Sequence, residues 1–193
     1  SPQQEARNNE PHILYLAHFG PGTIKVGISH AKRGNGRLLE QGARSAIILE
    51  TFPTAHIARQ YEAKIAAIPS IAETIQLRKK IQSLGSPYND SAAKEELAKI
   101  REMVEKALGV SFTNKDTLHL GEKFFPVKTP DLTAAYDTTK DLKISGTCTG
   151  MLGSLLFCDY EDTPVFLPLK KFVGQQVTLG HSQISLELPA RQA

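Results

Sequence analysis

Apolar and polar positions along the chain fall into two regimes. His12-Ile-Leu-Tyr-Leu-Ala-His-Phe19 is a short apolar run ended by Gly20-Pro21-Gly22, and Thr23-Ile-Lys-Val-Gly-Ile-Ser29 resumes with alternating apolar residues, the pattern of a β-hairpin. Gly34-Asn35-Gly36 then breaks the chain before a short helix at Arg37–Gln41, stopped by Gly42, and Ala46–Phe52 forms a third strand. Thr54 is placed to cap a helix in which Ile57, Tyr61, Ile65 and Ile68 recur at helical spacing, so one of its faces packs on the sheet. More helix is expected over Ile71–Leu84, and Ala92–Leu108 is a charged amphipathic helix ending at Gly109, with the look of a connector.

From Glu122 the period shortens. Short strands separated by turn residues are expected at Phe124–Lys128, Leu142–Ile144, Met151–Cys158, Val165–Leu169, Gln176–Leu179 and Ile184–Leu188, which together suggest a small all-β barrel or sandwich. The expected class is α+β: a three-stranded sheet with flanking helices over residues 11–88, a helical connector over 89–120 and a small β domain over 121–193. Residues 1–10 read as a polar tail.

Composition narrows the classes of function. No apolar run nears the roughly 18–20 residues that span a bilayer, which argues against a membrane protein. The chain opens Ser1-Pro2-Gln3-Gln4 without a charged-then-apolar leader, so flanking domains are expected to be missing from it. Cys148 and Cys158 are the only cysteines, too few for a disulfide framework and without zinc-site spacing; two unpaired core thiols in a reducing cytoplasm are expected. Charge is uneven. Residues 1–80 carry 11 Lys/Arg against 6 Asp/Glu, and residues 81–193 carry 12 against 14, so the first half is the one suited to meet a polyanion.

The candidate chemistry lies in that half. Ile13-Leu14-Tyr15 is followed ten residues on by Lys25-Val26-Gly27-Ile-Ser, then by Arg37, with Arg33 as the competing arginine, and by Ala58-Arg-Gln-Tyr-Glu62. This series resembles the GIY-YIG nuclease superfamily, in which a Tyr ends the first strand, a Tyr-Ile-Gly stands about ten residues later, and an Arg and a Glu follow on helices. The wording also looks like a bacterial branch of that superfamily in which such a segment is joined to a small C-terminal β domain.

The resemblance implies a metal-dependent endonuclease. Tyr15 would be the base, Lys25 and Arg37 would stabilise charge, and Glu62 would hold a single Mg²⁺ or Mn²⁺ against the leaving oxygen. A nearby ammonium favours a phenolate, and Lys25 on the paired strand is expected to supply it. Lys32, Arg33 and Arg44 complete a basic strip with Lys25 and Arg37 in which Glu40 is the one acid, suited to phosphate contacts. The implied partner is nucleic acid, with DNA favoured over RNA.

Two departures from the family pattern open a second reading. Lys25 stands where the family has its second Tyr, and Gln41 stands where an aromatic residue or His is usual. An inactive DNA- or RNA-binding module is therefore the alternative, and the near-neutral second half leaves a regulatory protein-interaction domain as a third. His18 and His30 flank the hairpin as minor proton-transfer candidates, and Lys170-Lys171-Phe172 combines charge with an aromatic residue on the β module.

Overall fold

The computed structural model of this α+β protein describes residues 1–84, 88–121, 144–160, 163–174 and 184–186. Two compact units divide the chain, Ser1–Lys123 and Phe124–Ala193.

The first unit begins with helix α1 (Pro2–Asn8), whose N-cap is Ser1, where a polar tail was expected. Strands β1 (His12–Gly20), β2 (Thr23–His30) and β3 (Ser45–Phe52) follow the expected hairpin and third strand. Helix α2 (Gly36–Gln41) separates β2 from β3. Two further strands, β4 (Ile71–Ala72) and β5 (Thr117–His119), join the edges, so the sheet has five strands in the order β4-β2-β1-β3-β5 rather than three. β4 runs parallel to β2, and the other pairings are antiparallel.

Central placement accounts for the pattern of β1. All nine of its residues are buried, because the strand has a neighbour on each edge and is covered on both faces, and that condition selects a continuous apolar run over alternation. The principal core gathers Leu14, Leu16, Ile24, Val26, Ile47 and Leu49 from the strands with Ile65, Leu97 and Val104 from helices.

Those helices are α3 (Ala55–Ala66) and α5 (Asp90–Leu108), and between them lies α4 (Leu77–Leu84). The Thr54 side chain accepts from the Ile57 amide, as expected of an N-cap. The stretch read as helix over Ile71–Leu84 instead spends its first two residues on β4. Helix α5, read as a connector, is part of the core. Its Arg101 is 8% exposed and donates to Glu105 Oε1 at 2.7 Å, and the same oxygen accepts the Phe112 amide at 2.7 Å. The chain after the helix is thereby tied back against it.

In the second unit, β6 (Ile144–Leu152), β7 (Leu155–Tyr160), β8 (Thr163–Pro168) and β9 (Ile184–Leu186) form one antiparallel sheet in the order β8-β7-β6-β9. Among the described residues this sheet is open, neither a closed barrel nor a sandwich. The run Met151–Cys158, expected as one strand, is folded into a hairpin at Gly153, whose φ of 58° belongs to glycine. Phe124–Lys128, Gln176–Leu179, the first two residues of Leu142–Ile144 and the last two of Ile184–Leu188 lie outside the described residues. Cys158 is buried but Cys148 is exposed, so one of the two expected core thiols faces solvent. Among the described residues, no helix is long and apolar enough to cross a membrane.

Candidate functional site around Tyr15

Register places Tyr15 on β1 directly opposite Gly27 on β2. The phenol ring lies across that glycine. A Cβ at position 27 would sit 2.5 Å from Tyr15 Oη and 2.6 Å from Cζ, well inside van der Waals contact, so the glycine is required for space. The register between β1 and β3 shifts between Leu14 and Tyr15, an irregularity of the kind that re-aims a side chain. Tyr15 is 1% exposed.

Helix α2 brings two groups to the phenol. Gln41, its last residue, donates from Nε2 to Tyr15 Oη at 2.8 Å, and its own carbonyl accepts from Lys80 Nζ at 2.6 Å. Gly42 (φ 77°) ends the helix there. One turn earlier, the Arg37 guanidinium acts on Tyr15 electrostatically. The two candidate arginines are thereby separated. Arg33 spends its Nη2 on both carboxylate oxygens of Glu40, at 2.5 and 2.6 Å, whereas Arg37 makes only a 3.5 Å ion pair with Glu40.

Glu62 on α3 supplies the acid. It is partly buried, and its charge reaches Tyr15. Burial pushes its carboxyl pKa upward, while the Lys25 ammonium, the Ile28 amide and Arg59 favour the ionised form and Glu73 opposes it. Lys25 also donates to the Glu73 carbonyl. Lys25 was expected to favour a Tyr15 phenolate; its charge favours the ionised form of Glu62, and Arg37 is a cation whose charge lowers the Tyr15 pKa. Burial raises the Tyr15 pKa above 10.0 despite the lowering by Gln41 and Arg37, so the free protein holds a neutral phenol.

The structure brings Tyr15, Arg37, Glu62 and Lys25 together, but it divides the rest of the basic strip. Lys32 Nζ pairs with Glu10 Oε2 at 2.6 Å, beside His30 Nε2 on the same oxygen at 2.9 Å. Arg44 is partly buried, with its guanidinium 4.1 Å from the centre of the Tyr88 ring. It packs as a flat cation on an aromatic face, which is a different task from gripping phosphate. His18, one of the two minor proton-transfer candidates, is 2% exposed and bonded through Nε2 to Glu96 at 2.9 Å.

A divalent ion would find one firm donor here. Among the described residues, no group of three or more His, Cys, Asp or Glu side chains is gathered as a metal cage. Glu62 is nevertheless the hard oxygen ligand that Mg²⁺ and Mn²⁺ prefer. Its carboxylate is held in a setting where burial penalises its charge, and a cation relieves such a penalty. Water and substrate oxygens would have to fill the remaining shell.

Two contributors had no signal in the sequence pattern, and a third, Gln41, was noted there only as a departure from the family. Glu73 lies in the loop after β4, Lys80 acts through a backbone carbonyl, and Gln41 is known as the partner of Tyr15 only from the geometry. Comparison with curated proteins and with solved structures returns no match. A family model described as "Protein of unknown function (DUF2797)" matches residues 3–177. That span covers both the Tyr15 site and the β6–β8 sheet, and the chain belongs to the DUF2797 family.

Proposed function

We propose that the Tyr15 site is a metal-dependent endonuclease centre of GIY-YIG type, which hydrolyses phosphodiester bonds in nucleic acid, with DNA ahead of RNA. The observation that carries this reading is that a guanidinium and a carboxylate, drawn from two helices, both act on the phenol of Tyr15, which lies against Gly27. On the same reading, β1, β2 and β3 correspond to the central sheet of that superfamily.

The roles follow from what each group can do. Arg37 contacts the phosphate and stabilises negative charge on it and on the Tyr15 oxygen. Gln41 occupies one lone pair of Tyr15 Oη, which turns the phenolic hydrogen toward the substrate side. Tyr15 orients the attacking water; after releasing its own proton to solvent, its phenolate accepts one proton from that water as the water oxygen bonds to phosphorus and the ester oxygen leaves. Lys25 keeps Glu62 ionised. Glu62 would hold Mg²⁺ or Mn²⁺, which when bound supplies Lewis-acid stabilisation of the leaving oxygen.

The upward shift of the Tyr15 phenol favours a second reading, a nucleic-acid-binding module without catalysis. One experiment separates the two. Supercoiled plasmid, single-stranded DNA and structured RNA are incubated with the protein in Mg²⁺, Mn²⁺ or EDTA, beside Tyr15→Phe and Glu62→Ala. Metal-dependent cleavage lost in both variants is the expected result. Salt-sensitive binding without cleavage replaces it with the binding module, and neither activity leaves a protein-interaction role as the one to pursue.

A further inference from the structure

The second unit holds a pair of thiols that the nuclease reading does not use. Cys148 on β6 and Cys158 on β7 are direct cross-strand partners in an antiparallel ladder. Such partners stand roughly 4.5–5.5 Å apart at Cα, inside the roughly 4.4–6.8 Å that a disulfide spans. Both side chains point to one face of the hairpin, as opposed residues must. The ladder slips between Cys148 and Gly150, so β6 bulges beside Cys148, and that cysteine is exposed while Cys158 is buried.

We propose that Cys148 and Cys158 form a thiol–disulfide exchange site, in which the exposed thiol is the entry point for low-molecular-weight disulfides and the buried one resolves the product into a reversible cross-strand disulfide. The first step is attack of the Cys148 thiolate on one sulfur of the small disulfide. A Cys148–sulfur bond forms, the disulfide bond breaks, and one small thiolate leaves and takes up a proton. Cys158 then gives up its proton and attacks Cys148 Sγ. The intramolecular bond forms, and the second small thiolate is expelled and protonated. The protein dithiol loses two electrons and two protons, and the small disulfide is reduced to two thiols.

The order of the steps follows from the environments. Burial, with the neighbouring Cys148 and Asp159, pushes the Cys158 thiol up to about 11, which leaves almost no free thiolate near neutrality, and thiolate is the attacking species. Cys158 therefore does not react first. Once Cys148 carries a mixed disulfide, the directly opposed Cys158 meets an electrophilic sulfur at contact distance, and proximity offsets its low thiolate fraction.

The chain has two cysteines, so the products are unambiguous. The reduced protein is treated with oxidised glutathione under native conditions, free thiols are alkylated, and the intact mass is measured for the wild type, Cys158→Ser and Cys148→Ser. The expected wild-type product is a monomer that has lost two hydrogens, takes up no alkylating agent and reverts in excess reduced glutathione. Cys158→Ser stops with one glutathione attached, and Cys148→Ser stays unmodified until denatured. A wild-type protein that ends as the mixed disulfide, or as a cross-linked pair of chains, overturns the proposal. So does a Cys148→Ser variant that reacts as fast as the wild type. None of these outcomes depends on nuclease activity.

Discussion

Gly27→Ala tests the geometry of the candidate site through stability alone. The added Cβ would lie 2.5 Å from Tyr15 Oη and 2.6 Å from Cζ, so the ring must retreat by about 0.9 Å to reach the 3.4 Å of ordinary contact. It has little room to do so, being 1% exposed and fixed by the 2.8 Å bond from Gln41. Overpacking of this kind costs about 1–3 kcal/mol, and losing the Gln41 bond adds about 1 kcal/mol. Replacing glycine in an extended strand returns about 0.4–1 kcal/mol through the unfolded state. The net destabilisation is about 2 kcal/mol, roughly a thirtyfold shift toward the unfolded chain. With no tryptophan in the sequence, urea unfolding followed by far-ultraviolet circular dichroism is the suitable assay. The decisive control is the same substitution in a Tyr15→Leu background, where no ring crosses position 27 and the cost should vanish. An equal cost in both backgrounds, or none in the wild type, would refute the claim that Tyr15 rests on Gly27.

Glu62→Gln should raise the unfolding midpoint at neutral pH while removing metal-dependent cleavage. Burial lifts the folded-state pKa of Glu62, so the ionised carboxylate costs stability above its unfolded value of about 4.5, and the gain should fade as pH falls toward and below that value. An unchanged or lowered midpoint at pH 7 would contradict this. At the alkaline end, burial holds Tyr15 and Tyr88 above 10.0. The folded state then binds those protons more tightly than the unfolded chain, and stability must decline as pH rises through 10. Tyr15→Phe should flatten that decline in a melting series above pH 10, and an identical slope would count against a buried phenol.

What the sequence pattern revealed depended on whether a signal was local. The β1–β2 hairpin was legible because Gly20-Pro21-Gly22 interrupts two apolar stretches, and α3 because the Thr54 cap belongs to its own first turn. β4 and β5 were not, because strands of two and three residues have no period of their own and exist through their neighbours. The role of α5 was hidden for a related reason. Its charged surface advertised a connector, while Leu97 and Val104, with Ile100 and Leu108 packed beside them, carry its part in the core. At the site, spacing was enough to set the Tyr15 strand beside the Lys25-Val26-Gly27 strand, but the contact of Tyr15 with Gly27 came only with the register. The target of Lys25 depended on where α3 packs, and the choice between Arg33 and Arg37 depended on which of them Glu40 occupies.

The sheet also sets a timetable for synthesis. β1 leaves the ribosome before the elements that complete its sheet: β5, at the far edge beyond β3, ends at His119, and the Leu97 and Val104 that cover the Leu14 and Leu16 face arrive only with α5. A nascent chain that has emerged only as far as residue 84 carries β1, β2 and β3 with an unshielded greasy surface, a state prone to sticking to its neighbours. The sheet and core of the first unit are therefore complete only after residue 119 has emerged. The same arithmetic applies to gene fusion and domain shuffling: the transferable piece is residues 1–123, and a graft of residues 11–88 alone would carry the strands without α5, whose Leu97 and Val104 cover the Leu14 and Leu16 face of the sheet.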